Sequence, residues 1–205
     1  MKPHLGYFGE SPEESIKKEL LGTTKPREAL PLNLEFYEYQ EHLENFLKKE
    51  DIGFKFEKIL DEIKKRQRFD PTKPVPSFAH DLYLFLADEL GIEEDQELKY
   101  FTAIGPEKQK TAADVYYNIQ AFFEWEKDPG KIKRVTFRLH HKDYDKRSST
   151  ELDANIYIPD DLAYPISYRG LGLKLKDLTP HEQKRYTQYI NKTGAELLDL
   201  FKKTY

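Results

Sequence analysis

The chain has 205 residues, 34% of them charged and 38% hydrophobic, with a net charge of −4, which is long enough for one domain with a real core and short for two. It contains no cysteine, which excludes disulfides, thiolate metal sites and cysteine nucleophiles, and 14% aromatic residues argue against a disordered chain. No apolar run reaches the length that spans a bilayer, and MKPHLGYFGESPEE lacks the apolar stretch of a secretion signal; the expectation is a cytoplasmic protein with no membrane partner.

The first element is a short helix in SPEESIKKELLG, with Ser11 as N-cap, Pro12 as first helical residue, Glu14 as capping-box partner and Gly22 as the stop. TTKPREALPL reads as an extended linker, so residues 1–32 are expected to form an N-terminal arm and residues 33–205 a single domain. Two amphipathic helices follow. Phe36, Tyr39, Leu43, Phe46 and Leu47 mark one over about 34–49, and Phe56, Ile59, Leu60 and Ile63 mark the next after Gly53. Three prolines in FDPTKPVPS break the pattern, and Ser77 is placed to cap a third helix whose Phe78, Leu82, Phe85, Leu86 and Leu90 share a face before Gly91 ends it.

LKYFTAIG is a short β-rich run ended by Gly105, and AADVYYN can form a helical turn. From Ile119 the apolar period becomes two. Ile119, Ala121, Phe123 and Trp125 alternate with Gln120, Phe122, Glu124 and Glu126; after the turn DPG, Val135, Phe137 and Leu139 alternate with Arg134, Thr136, Arg138 and His140; then Leu152, Ala154, Ile156 and Ile158 alternate with Asp153, Asn155 and Tyr157. Thr179, Pro180 and Glu182 open a final helix carrying Tyr186, Ile190, Leu197, Leu198 and Phe201. The predicted fold is α+β: N-terminal helices, a central antiparallel three-strand meander at about 119–126, 134–142 and 152–159 with one dry face, and a closing C-terminal helix.

A hairpin centred on Gly130 would pair Glu126 with Arg134, Glu124 with Thr136, Phe122 with Arg138 and Gln120 with His140, and a third antiparallel strand would set Asp153 beside His140 and Asn155 beside Arg138. A carboxylate beside an imidazole orients it and raises its basicity, so His140 with Asp153 forms a candidate general base. Glu124 and Glu126, two apart on one strand, are candidate catalytic acids and ligands for a hard cation such as Mg²⁺. Gln120, Arg138, Lys142 and Arg147 are the candidate binding residues around them. The competing reading of this row is cross-strand charge pairing on a solvated sheet face.

Charge is unevenly spread. Residues 131–205 carry 15 Lys and Arg against 10 Asp and Glu, whereas the first 130 carry 18 against 27. A basic C-terminal third attracts nucleic acid or another anionic partner.

From Leu98 to Ile158, the succession FTAIG, QAFFEWE, RVTFR and DANIYIP resembles the core of small proteins in the PD-(D/E)XK nuclease-like superfamily. That resemblance implies strands holding metal-binding acids and a lysine for phosphodiester cleavage. At the corresponding positions this chain has Gln120, Arg138 and Asp153 in place of the two acids and the lysine, while Asp114 with Glu124 and Glu126 keeps acids but no lysine. The resemblance therefore implies a nuclease-like core with a degenerate motif, acting as a nucleic-acid- or protein-binding domain. The alternatives are a Mg²⁺-dependent phosphodiesterase using Glu124 and Glu126, and a structural protein that self-associates through its N-terminal arm.

Overall fold

The computed structural model describes residues 12–25, 52–92, 96–106, 111–140, 151–159, 162 and 178–203. The helix expected over 34–49, the cap at Ser11, and the candidate binding residues Lys142 and Arg147 lie outside the described residues. Helix α1 spans Pro12–Leu21, α2 Ile52–Lys65 and α3 Ser77–Leu90; strand β1 runs Glu97–Thr102, α4 Ala112–Tyr117, β2 Ala121–Asp128, β3 Lys131–His140 and β4 Ala154–Tyr157; α5 is Pro180–Lys203.

The strands form one four-stranded sheet in the order β1-β2-β3-β4. This corrects the three-strand antiparallel meander on two counts. The run LKYFT is a full strand, pairing antiparallel with β2 so that Tyr100 faces Phe123 and Phe101 faces Phe122. The last strand, β4, runs parallel to β3, with Phe137 opposite Ala154 and His140 opposite Tyr157. Parallel neighbours need a crossover, which thirteen residues between β3 and β4 are long enough to make. Alternation alone does not encode strand direction, which is why the sequence reading missed it.

Both faces of the sheet are covered. Leu98, Tyr100, Ala121, Phe123, Trp125, Val135, Phe137, Leu139 and Ile156 join the buried leucines and aromatics of α1, α3 and α5 in one core. On the opposite face Phe101 and Phe122 pack with Phe56, Ile59, Leu60 and Ile63 of α2 and Ala113 of α4. The expectation of a single dry face fails because Phe101 and Phe122 supply apolar anchors within the polar row, and the stripe of α2 needs such a surface to bury against.

The helix expected in an N-terminal arm is part of this packing. Leu20 and Leu21 lie in the first core, and the chain beyond them is stitched to β1: the Tyr100 hydroxyl donates to Leu21 O at 2.9 Å, Thr102 Oγ1 to Gly22 O at 2.9 Å, and Thr24 N–H to Ile104 O at 2.9 Å. Gly22 has φ +74°, and a Cβ there would sit 2.7 Å from Pro76 Cγ, so conformation and space both call for glycine. The outer edge of β1 is masked by the segment after α2: the Gln67 side chain exchanges bonds with Thr102 N–H and C=O, both at 3.0 Å, and Tyr100 N–H donates to Pro71 O at 2.9 Å. Covering an edge in this way removes a template for unwanted strand pairing.

Helix α3 starts at Ser77 itself; Pro76 occupies the cap position without a side-chain bond, correcting the expectation that Ser77 caps the helix. Its other end is as expected, with Gly91 left-handed at φ 60° and its N–H turned back on the last turn. Helix α5 carries the full capping box: Glu182 N–H reaches Thr179 Oγ1 at 3.3 Å, and Glu182 Oε2 accepts from Thr179 N–H at 2.8 Å. Where α3 and α5 cross, Gly194 faces the ring of Phe85 with no room for a Cβ, and the Tyr186 hydroxyl donates to Asp81 at 2.5 Å.

Candidate functional site

The polar row of the hairpin lies beneath α2. Pairing between β2 and β3 sets Glu124 opposite Arg134, Phe122 opposite Thr136 and Glu126 opposite Ile132, with an irregularity between Glu126 and Asp128. The register lies two places from the expected one, one from a turn that pairs Asp128 with Lys131 and one from this irregularity. Because the shift is even, every side chain keeps its face.

Glu124 is only 5% exposed. Its Oε1 accepts from Arg134 Nε at 2.8 Å, Arg134 Nη2 lies 2.7 Å from the same oxygen, and the Lys64 ammonium of α2 lies 2.8 Å from it. Arg134 then reaches up to α2, donating to both oxygens of Glu57 at 2.8 and 3.1 Å, while Lys64 lies 3.7 Å from Asp61. Two rings floor the cluster: Arg134 stands 5.9 Å from the Phe122 centroid and Lys64 5.9 Å from that of Phe101. The result is an ionic chain, Asp61 to Lys64 to Glu124 to Arg134 to Glu57, that clamps α2 to the sheet.

The electrostatics follow from these contacts. The bond from Arg134 holds the Glu57 carboxyl below its usual range, aided by the charges of Arg134 and Lys64. Burial works against the Arg134 charge, but the bonds and attraction of Glu57 and Glu124 outweigh it and raise its pKa. Beside the cluster, the bond to Glu97 raises Lys99, assisted by Glu126 and Glu124. Charges this deep are tolerated because each is paired.

The other expected site residues are dispersed. Glu126 shares the face of Glu124 and accepts from Gly130 N–H at 2.7 Å, closing the hairpin turn. Gln120 is buried, and its Oε1 accepts from Leu139 N–H at 2.9 Å, prolonging the ladder past the end of β2. The parallel course of β4 separates His140 from Asp153, correcting the expected dyad. His140 pairs with Tyr157, their rings 5.5 Å apart. Asp153 sits at the other end of the strand pair, where its Oδ2 accepts from Thr136 N–H at 2.7 Å and its own N–H donates to Thr136 Oγ1 at 3.0 Å. Arg138 does face Asn155, as expected.

The residues that complete the cluster, Glu57 and Lys64, were missed by reasoning along the sheet alone. A signal was present: Glu57, Asp61 and Lys64 recur at helical spacing beside the apolar stripe of α2. Among the described residues, no group of three or more acidic or histidine side chains is arranged to hold a metal ion. Comparison with protein-family models, curated proteins and solved structures gives no match for this chain.

Proposed function

We propose that this chain is a non-catalytic nucleic-acid-binding domain built on a nuclease-like core, in which the place of a catalytic acid is taken by a structural ion pair. The observation that carries the reading is Glu124, whose Oε1 is already held by Arg134 and Lys64 under α2. A hard cation takes its ligands from oxygen, and to reach this oxygen it would have to displace two cations bonded at 2.7 and 2.8 Å. The basic balance of residues 131–205 supports an anionic partner.

The test is binding of a labelled duplex, followed with Mg²⁺ and again with a chelator. The reading expects association that weakens steeply with salt, is the same in both media, and leaves the duplex uncut. Mg²⁺-dependent cleavage that disappears in Glu124→Gln and Glu126→Gln would overturn it in favour of a metal-dependent phosphodiesterase.

A further inference from the structure

Helix α2 is tied to the molecule in three ways. Its apolar stripe, Phe56, Ile59, Leu60 and Ile63, buries against Phe101, Phe122, Ile119 and Ala113. Its charged edge, Glu57, Asp61 and Lys64, meets Arg134 and Glu124. Just past its end, Gln67 holds both backbone groups of Thr102 at 3.0 Å, and Arg66 donates to the Lys25 carbonyl at 3.1 and 2.6 Å. That end is pinned to β1 and to the chain after α1. The larger core on the other side of the sheet contains residues of α1, α3 and α5 and none of α2.

The charges are placed so that α2 can lift without stranding one inside. Arg134 stands opposite Glu124 on the neighbouring strand, its Nε 2.8 Å from Glu124 Oε1, so this pair stays on the sheet. Lys99, opposite Glu124 on β1 and paired with Glu97, stays as well, and Glu126 keeps its bond from Gly130 N–H. Lys64 travels with α2 beside Asp61 at 3.7 Å. Glu57 gives up Arg134, but its side chain is already 57% exposed and passes into water. The strongly destabilising state, a buried charge without a partner, does not arise on this path. A released helix of 14 residues is marginal by itself in water, so lifting α2 also melts it.

We infer that α2 is a latched segment, which opens off the sheet as a unit about its Arg66–Gln67 end while the sheet, α1, α3 and α5 stay folded. The latch is the set of ion pairs that Glu57 and Lys64 make with Arg134 and Glu124. Opening uncovers Phe101 and Phe122, stacked 5.0 Å apart on adjacent strands, so the latch governs access to an apolar sheet face. This device stands independently of the nucleic-acid reading.

Amide hydrogen exchange on the full chain tests it, because segments that open separately exchange separately. In the unaltered protein, amides of residues 56–65 are expected to exchange at least about tenfold faster than those of β2 and α5. Glu124→Gln is expected to speed α2 exchange by about tenfold or more. Glu57→Gln, at the exposed end of the latch, is expected to speed it about two- to fivefold, which keeps the test available if the buried substitution does not fold. The decisive contrast is Phe137→Leu, which weakens the other core: it is expected to speed β2 and α5 by about tenfold and to leave α2 unchanged, since that core persists while α2 is open. Acceleration of α2, β2 and α5 by one common factor in every variant would mean a single cooperative unit and overturn the inference. An α2 that opens early but is indifferent to both glutamate substitutions would overturn the ionic latch.

Discussion

The two faces of the sheet are built by different physics. Under α1, α3 and α5 the contact is almost wholly apolar, from Leu20 through Tyr100, Phe123 and Phe137 to Phe201. Under α2 an apolar cluster around Phe101 and Phe122 is bordered by the ionic chain through Glu124 and Arg134. The first face gains stability from the area it removes from water. The second is selective: α2 fits only where each carboxylate meets its cation, since a buried charge without a partner is strongly destabilising. A face that must hold charges at fixed distances resembles a catalytic site when read one strand at a time, and the difference emerges only when the covering helix is in place.

That contrast sets the order of expected effects. The largest belongs to the apolar face, where Phe137 is fully buried between Phe123 and its neighbours; Phe137→Ala is expected to cost about 3 to 5 kcal/mol in urea unfolding. Arg134→Leu comes next, at about 3 kcal/mol, because it leaves Glu124 inside with Lys64 as its remaining cation. An Arg134→Leu variant as stable as the unaltered chain, beside a large loss in Phe137→Ala, would leave the second face without its ionic contribution and erase the distinction between the faces.

The smallest effect is the share of the pH dependence that the second face contributes through Glu57. Glu57 has a lowered pKa in the folded protein, so its contribution is fully present above the ordinary glutamate range and is lost as the pH falls through the lowered folded value. Stability measured from about pH 5 down to about pH 3 is therefore expected to decline, and to decline less in Arg134→Leu, where the bond that lowers Glu57 is gone. An unchanged slope in that variant would separate Glu57 from the clamp.

How far the sequence reveals this molecule depends on the range of the signal. The capping box at Thr179 and Glu182, the stop at Gly91 and the stripe of α2 are local and legible, because each needs only neighbours within a turn. The face assignment of the hairpin was also legible, since the alternation of Phe123 and Trp125 with Glu124 and Glu126 survives a shift of two. Two features were not. The direction of β4 depends on the path of the crossover rather than on the alternation of Asn155 and Ile156, and with it went the pairing of His140 with Asp153. The partners of Glu124 lie on another element, Lys64 being sixty residues away along the chain, and no strand-by-strand reading brings them together.

The central claim, that Glu124 is a structural ion-pair partner, is tested most directly by the unfolding free energy of Glu124→Gln against the unaltered chain, measured in chelator. The substitution keeps the shape and removes the charge facing Arg134 and Lys64. A clamp requires the variant to be less stable by about 2 to 3 kcal/mol. A variant as stable as the unaltered chain, or more so, is the behaviour of a carboxylate kept for catalysis at a cost in stability, and would contradict the account.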